Sequence, residues 1–283
     1  MNNTIKTILL FGAFTLLLLT IGRYVGGVRG MWLMTAIGVF FNLIMYFFSD
    51  KIAILSAKAK PLDETQYPEI KAIVKDLTQK AKLPMPRLFM NSDTQPNAFA
   101  TGRNPKNSAI MVTKGLADNL EEGEIKGVLA HELAHIKNRD ILISTLAAVF
   151  ASIITSAAHT LRWMNFFGQG DSNRNILADI AIMILAPIAA IIIQLAISRS
   201  REYKADTTGA QIAGSPTGLA NALEKIHSFS SRDLRSSPQK INPAFENLYI
   251  ANPLGSRGFT SSVMKLFSTH PPIEERVAKL RNM

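Results

Sequence analysis

The chain has 283 residues, no cysteine and a formal net charge of +10, and 47% of its residues are hydrophobic. That length accommodates one or two domains, and the lack of cysteine excludes disulfides and thiolate ligands, so a bound zinc ion would be held by histidine and carboxylate groups. No basic helix interleaved with aromatic residues accompanies the charge, so we expect no nucleic-acid partner; the positive charge instead lies beside apolar runs, where it would meet the headgroups of a lipid bilayer.

Four apolar runs predict transmembrane helices. Residues 8–22 and 31–48 are separated by a glycine-containing turn, so we expect them to form a hairpin. No small-x-small cleavage site follows the first run, which favours a retained anchor over a signal peptide. Residues 141–161 and 180–197 are separated by a polar segment and predict a second hairpin.

The segment between the hairpins has the pattern of a soluble domain. Residues 67–82 predict a helix because apolar side chains recur with helical spacing on one face, at Ile70, Ile73, Val74 and Leu77. Residues 87–90 and 108–113 predict short strands, and the composition of residues 91–106, rich in Asn, Pro, Gly and Asp, predicts a loop between them.

A predicted helix then carries the motif His131-Glu132-Leu133-Ala134-His135, and we place its start at a capping box of Asn119 and Glu122. The motif puts two imidazoles one turn apart on one face, with a carboxylate beside them. A catalytic zinc ion has three protein ligands and one open position. We therefore expect His131 and His135 to bind zinc, Glu132 to act as the general base, and a third ligand to lie elsewhere.

The third ligand is predicted directly after the fourth apolar run. Glu202 and Asp206 are four residues apart on one helix face, so Glu202 can reach the metal while Asp206 accepts a hydrogen bond from a ligand imidazole. The alternative is a solvated face on which both carboxylates pair with neighbouring Arg and Lys. The expected cofactor is one Zn²⁺ per chain.

Zinc could also brace a membrane scaffold without catalysing a reaction. Structural zinc sites usually have four protein ligands and no free base, whereas this chain offers three ligands plus Glu132, which favours catalysis. Metal transport would require ionisable residues inside the spans, and the four apolar runs are nearly bare of them.

Strand 108–113 has two interpretations. In zinc peptidases with this motif, such a strand borders the cleft, and an extended peptide substrate can add to its free edge. An ordinary interior strand is equally consistent with the sequence.

Two residues are candidates for the group that faces a developing oxyanion, which metal peptidases commonly need. They are Asn97, in the predicted loop, and His270, which precedes Pro271. Each has an ordinary interpretation of equal weight, Asn97 as a turn residue and His270 as a helix N-cap.

Membrane topology follows from the metal site. If Glu202 joins His131 and His135 on one ion, the chain between residues 140 and 198 crosses the membrane an even number of times. The side that holds the site then carries most of the Lys and Arg near the helix ends, which makes it cytoplasmic by the positive-inside rule. Only four basic residues flank the runs on the other side: Arg23, Arg29, Arg162 and Arg174.

We therefore predict a mainly α membrane protein with four transmembrane helices and a zincin-like α+β catalytic domain. The expected division of the chain is a transmembrane hairpin, the first part of the catalytic domain, a second transmembrane hairpin and the second part of the catalytic domain, at residues 1–50, 51–140, 141–197 and 198–283.

These features together resemble the HtpX family of bacterial membrane zinc endopeptidases, relatives of the type I CAAX prenyl proteases, over essentially the whole chain. The matching features are the two hairpins, the motif at residues 131–135 with Glu202 and Asp206, Asn97-Ala98-Phe99-Ala100 and Ser268-Thr269-His270-Pro271-Pro272. The resemblance implies a multi-pass, gluzincin-type endopeptidase of the bacterial inner (plasma) membrane. It also implies polypeptide substrates, chiefly damaged or misfolded membrane proteins, and a stress-response role in quality control beside other proteases.

Overall fold

The structure is a computed structural model that describes residues 3–150, 199–233 and 271–283. Its helices are α1 (Asn3–Ser56), α2 (Pro68–Ala81), α3 (Lys114–Asn119), α4 (Glu122–Lys137), α5 (Ile141–Phe150), α6 (Arg199–Ala213), α7 (Thr217–Asp233) and α8 (Ile273–Arg281). Its strands are β1 (Lys60–Pro61), β2 (Arg87–Asn91), β3 (Ala98–Asn104) and β4 (Asn107–Thr113).

Helix α1 folds back on itself as an antiparallel hairpin. Its backbone leaves the helical region at Gly26 and Gly27, where the φ of +59° at Gly27 is one that glycine adopts without steric cost. The Asn42 amide of the second arm donates hydrogen bonds to the carbonyl of Phe11 at 3.2 Å and to Oγ1 of Thr15 at 2.9 Å on the first arm. The first predicted hairpin is therefore a helical hairpin in the structure.

Both arms of α1, Asn3–Tyr24 and Gly26–Ser56, are long and apolar enough to cross a membrane. Only 17% of the residues in the most apolar part of the first arm, and 11% in the second, are buried. A core helix of a soluble protein would instead bury most of its apolar residues. The third predicted span begins as helix α5; its remainder and the whole fourth span lie outside the described residues.

The four strands form one sheet in the order β1-β2-β4-β3. Strand β4 runs parallel to β2 and antiparallel to β3, and β1 runs antiparallel to β2. Residues 98–104 therefore form a strand, so the loop prediction for this part of residues 91–106 is wrong. Strand β4 lies inside the sheet, as the second of its two interpretations stated, and among the described strands β3 occupies the edge instead.

The two faces of the sheet pack against different parts of the molecule. On one face, Ala100 and Ile110 belong to a buried cluster built with the helices α2, α4, α6, α7 and α8. On the other face, Phe99 and Met111 belong to a cluster that includes Leu10 of α1 and Phe150 of α5. The sheet therefore lies between the helices that carry the motif and the part of the hairpin that contains Leu10 and Met45.

Helix α2 confirms the periodicity argument, since Ile70, Ile73, Val74 and Leu77 are all buried. The predicted start of α4 is wrong by two residues. Its capping box joins Glu121 and Glu124, and the Asn119 side chain instead donates to the carbonyl of Gly115 at 2.8 Å.

Helix α6 lies directly against α4 at the motif. A Cβ built on Gly209 would be 3.0 Å from both N and Cα of His131, a separation tighter than almost all real Cβ contacts. The absence of a side chain at Gly209 thus allows α6 to approach the first motif histidine closely.

Candidate metal centre

Three potential ligand atoms converge where α4 and α6 meet. Nε2 of His131 and Nε2 of His135 are 3.1 Å apart, and the Glu202 carboxylate lies 3.8 Å from the first and 3.6 Å from the second. Ligands held about 2.0–2.2 Å from a tetrahedral zinc ion are roughly 3.3–3.6 Å from one another. The two Glu202 distances run to different oxygens, Oε2 for His131 and Oε1 for His135. Two imidazole nitrogens and a carboxylate at these separations fit a zinc-sized cation.

The cluster is accessible from one side. The His131 side chain is 1% exposed, whereas the His135 side chain is 15% exposed. His135 is thus the more exposed of the two histidines, and a catalytic zinc site keeps its fourth position open to water or substrate.

His131 is oriented by a carboxylate on α6. Its Nδ1 lies 2.9 Å from Oδ1 of Asp206. Burial lowers the pKa of His131 to about 4, and the pKa of Asp206 lies at about 2 because Arg276 and His131 outweigh the effect of its burial. A neutral imidazole beside an ionised carboxylate donates Nδ1–H to it, which leaves the lone pair of Nε2 directed at the cluster.

His135 has a carboxylate partner of its own. Its Nδ1 lies 3.3 Å from Oδ2 of Asp140, a residue that is 3% exposed. Burial alone would lower the pKa of His135, but Glu202 and Asp140 outweigh it and raise the pKa to about 9. The same carboxylates that favour a proton on His135 also favour a cation bound beside it.

Glu132 is buried beside the cluster and attached to the edge strand. The side chain belongs to a residue that is 3% exposed, and its carboxylate accepts a hydrogen bond from the N–H of Ala100 in β3. Burial raises the pKa of Glu132 to about 8. A carboxylate with a pKa near neutrality, next to a cation site, can both accept and return a proton.

Arg276 of α8 completes the buried polar network. It is fully buried, donates two hydrogen bonds to Asp206, and places Nη1 4.0 Å from the Glu202 carboxylate. The positive charge of Arg276 therefore compensates the negative charges of Glu202 and Asp206, the two carboxylates of α6 that face α4.

The structure brings together four residues that the sequence argument grouped: His131, His135, Glu202 and Asp206. The solvated-face alternative does not describe Glu202 and Asp206, which are 7% and 2% exposed. Asn97 lies at the start of β3, where its backbone N–H donates to Oγ1 of Thr113 and its Oδ1 accepts from the N–H of Ala98. His270 lies outside the described residues.

Sequence reasoning missed Arg276 and Asp140. A signal for Arg276 exists, because it shares a helical stripe with apolar residues at Ile273, Val277 and Leu280, where a solvated arginine is not expected. Asp140 follows His135 by five residues, a separation that does not place two side chains on one helix face. Whether Asp140 approaches His135 depends on how the chain turns after α4.

A match to a known protein family covers the part of the chain that carries this centre. Peptidase family M48 matches residues 64–283, which include every residue of the metal centre described above. The chain belongs to peptidase family M48.

Curated relatives of this M48 peptidase match it along its whole length. Proteins named "Protease HtpX homolog" are 48% identical in Pelotomaculum thermopropionicum, over 99% of both chains, and 46% identical in Syntrophobacter fumaroxidans, over 100% of both. A further one from Burkholderia thailandensis is 45% identical over 100% of this chain and 98% of its own. The resemblance to the HtpX family is therefore confirmed.

A solved structure described as "Crystal Structure of S. mikatae Ste24p" shares the fold, with a TM-score of 0.53 and 19% identity. The match covers 98% of this M48 peptidase and 65% of that chain. Together with the apolar hairpin of α1, these findings make the M48 peptidase a membrane-associated metalloprotease that acts on polypeptides, which excludes the scaffold hypothesis.

Proposed function

We propose that the chain is a zinc-dependent membrane endopeptidase in which His131, His135 and Glu202 hold the ion and Glu132 is the general base. The observation that carries the proposal is the convergence of three zinc-type donor atoms beside a buried carboxylate of raised pKa. The donors belong to α4 and α6, and Gly209 keeps those two helices in close contact.

Zn²⁺, when bound, supplies Lewis acidity that polarises the scissile carbonyl and lowers the pKa of a water ligand toward neutrality. Glu132 takes a proton from the attacking water on its carboxylate and later delivers it to the leaving amine. Asp206 and Asp140 hold the two imidazoles with Nε2 facing the cluster. Asn97 and His270 are the proposed groups for the developing oxyanion.

The substrate polypeptide is proposed to lie along β3. Among the described strands β3 ends the sheet, and the N–H of its residue Ala100 donates a hydrogen bond to Glu132. An extended chain added beside such an edge places its peptide groups next to the general base. Strand β4, the first candidate for this role, has partners on both sides.

The proposed location is the bacterial inner membrane, with several spans and the catalytic domain in the cytoplasm. Both ends of the α1 hairpin contact the proposed catalytic domain. Asn3 Nδ2 lies 2.6 Å from Oδ1 of Asp140, and Asp50 pairs with Arg87 of β2. Arg23 and Arg29 flank the opposite end, where few basic residues are expected outside the cytoplasm. Damaged membrane proteins are the proposed substrates and other quality-control proteases the proposed partners.

The division into two hairpins and a two-part catalytic domain belongs to the same proposal. Packing of α6 and α8 onto α4 supports it, since these helices come from segments on either side of the second predicted hairpin. The stretch between residues 151 and 198 would then return the chain to the side from which it left.

The first test is cleavage of casein by detergent-solubilised protein, with zinc content measured on every sample. Glu132→Gln should abolish cleavage and retain zinc, while Glu122→Gln, at an exposed position at the start of the same helix, should leave both unchanged. Cleavage by Glu132→Gln at the wild-type rate contradicts the role of Glu132. Wild-type protein that cleaves without bound zinc contradicts the choice of metal.

Sidedness has a separate test, because the chain has no cysteine of its own. Single cysteines at Tyr24, which is 93% exposed near the hairpin bend, and at the exposed Lys80 of α2 can be labelled in intact spheroplasts with a membrane-impermeant maleimide. Labelling only at Tyr24 supports a cytoplasmic catalytic domain, and labelling only at Lys80 contradicts it.

A further inference from the structure

The amino-terminal end of the membrane hairpin reaches the metal centre. The Asn3 side chain donates through Nδ2 to Oδ1 of Asp140 at 2.6 Å and to the carbonyl of Arg139 at 3.3 Å. Asp140 places its other oxygen, Oδ2, 3.3 Å from Nδ1 of His135. A single buried carboxylate therefore joins the start of α1 to one of the two motif histidines.

The turn that carries Asp140 has a defined geometry. After α4, Arg139 adopts a left-handed conformation with φ of +59°. The N–H of Arg139 donates to the carbonyl of Ile136 at 3.2 Å, and the N–H of Asp140 donates to that of His135 at 2.9 Å. This pair of hydrogen bonds is the Schellman arrangement that ends many helices, usually with glycine at the left-handed position. The turn directs the Asp140 side chain back toward the imidazole that precedes it by five residues.

Two cationic groups lie near the same carboxylate. The charges of Arg201 and Lys6 both interact with that of Asp140. Asn3 lies among them as a neutral donor, and its own Oδ1 accepts from Nη1 of Arg201 at 3.5 Å. Because the Asn3 amide occupies Oδ1 of Asp140, Oδ2 stays directed at His135.

We propose that Asn3 is a positioning residue for the metal ligand His135, acting through Asp140, so that metal affinity depends on the amino-terminal end of the membrane hairpin. The proposal rests on the proposed function, because it takes His135 to be a zinc ligand. A carboxylate behind a ligand histidine typically contributes 10–100-fold in metal affinity. Asn3 contacts Asp140 and not His135 itself, so its effect should be smaller. We expect zinc affinity to fall about threefold to tenfold when the Asn3 amide is removed.

The substitution Asn3→Asp separates this role from a merely structural one. Aspartate caps helix starts as well as asparagine does, so a residue that only begins α1 tolerates the change. In the proposed role Asp is worse than Ala, because it replaces a donor with a second negative charge beside Asp140. The expected order of zinc affinity is wild type, then Asn3→Ala, then Asn3→Asp.

The measurement is a zinc titration of full-length protein in detergent against a chromophoric chelator, which does not depend on protease activity. Ile5→Ala, at a 49% exposed position in the same helical turn, is the control and should bind zinc as the wild type does. Size-exclusion elution establishes that each variant is folded. An Asn3→Asp variant that binds zinc as tightly as the wild type overturns the proposal.

A double-substitution comparison tests the route through Asp140. Asn3→Ala should lower zinc affinity in the wild-type background and have no further effect in an Asp140→Ala background, because the two residues act as one unit. Equal losses in both backgrounds overturn the proposal. Wild-type protein that binds no zinc contradicts the proposed function itself, whereas tight zinc binding by all variants contradicts only the role of Asn3.

Discussion

Arg276 donates two hydrogen bonds to Asp206, from Nε at 2.9 Å and from Nη2 at 2.6 Å. Asp206 in turn lies 2.9 Å from Nδ1 of His131. A helix near the end of the chain thus determines the orientation of a histidine in the motif helix through one shared carboxylate. The arginine is fully buried, so its charge and that of Asp206 depend on each other for compensation.

Removal of Arg276 should therefore destabilise the protein strongly. Arg276→Ala leaves the buried Asp206 carboxylate without its cationic partner, which costs about 3–5 kcal/mol. Arg276→Lys should be intermediate, because lysine keeps the charge but not the paired hydrogen bonds. Thermal unfolding in detergent measures both. Arg281→Ala is the control, since Arg281 is 48% exposed where it pairs with Glu224, and such pairs contribute less than about 1 kcal/mol. Equal losses for the two alanine variants would contradict the buried network.

Gly209→Ala should lower metal affinity. The new methyl group would meet the backbone of His131 at 3.0 Å, so α6 must move away from α4 and carry Glu202 with it. The added methyl group also costs about 1–3 kcal/mol when a packed contact is forced apart. Gly123→Ala is a matched control in α4, because no atom lies within 4 Å of its new Cβ. Zinc titration and thermal unfolding of both variants check the prediction, and identical behaviour would refute it.

Zinc affinity should rise with pH. The raised pKa of His135, about 9 against an ordinary 6.5, means that the metal-free protein carries a proton there at neutral pH. A ligand must be deprotonated to bind, so affinity should increase by up to about tenfold per pH unit until His135 is neutral, and then level off. Titrations between about pH 6.5 and pH 9 measure this slope. A pH-independent affinity across that range is incompatible with a protonated His135.

The same pKa has a consequence for the metal-free fold. A histidine whose folded pKa is raised contributes stability below its unfolded pKa of 6.5 and loses that contribution as the pH approaches about 9. Chelator-treated protein should therefore unfold at a lower temperature at alkaline pH than at neutral pH. Zinc-loaded protein should show a smaller change, since the metal keeps His135 deprotonated throughout.

The contributions of Thr101 and Thr145 to the stability of the protein should be strongly coupled. Their hydroxyl oxygens are 2.9 Å apart and fully buried, joining β3 to α5. Thr145→Val leaves the Thr101 hydroxyl without this partner, a loss of about 1–3 kcal/mol, whereas replacing both threonines by valine removes both polar groups. Thermal unfolding of the two single variants and the double variant gives the coupling energy. Losses that simply add would show that the bond contributes nothing.

Most of the metal cluster could be predicted from the sequence because its parts lie on helices. Spacings of four residues put His131 beside His135 and Glu202 beside Asp206 whatever the rest of the fold does. The apolar period of α2 and the length of the α1 hairpin are equally local signals. That α4 and α6 meet was inferred only from the need for a third ligand, not from any packing signal.

Strand β3 and the residues that contact the metal ligands could be identified only from the folded structure. Ala98, Ala100 and Gly102 have low strand propensity, so composition predicts a loop; pairing with β4 and burial on both faces make this segment a strand. Arg276 was missed because nothing in the sequence shows that Asp206 faces it. The Glu121 cap of α4 was missed because glutamate is not among the residues that usually cap helices.

Neighbouring residues of β3 face opposite parts of the molecule. Phe99 is fully buried against the side chains of α1 and α5, while the N–H of Ala100 holds the carboxylate of Glu132. We therefore expect the lipid around the hairpin to affect the reaction, because acyl chains that tilt or compress α1 would shift β3 and displace Glu132, the proposed base. Among detergents and lipids that leave the catalytic domain folded, turnover should vary with hydrophobic thickness while zinc content stays constant.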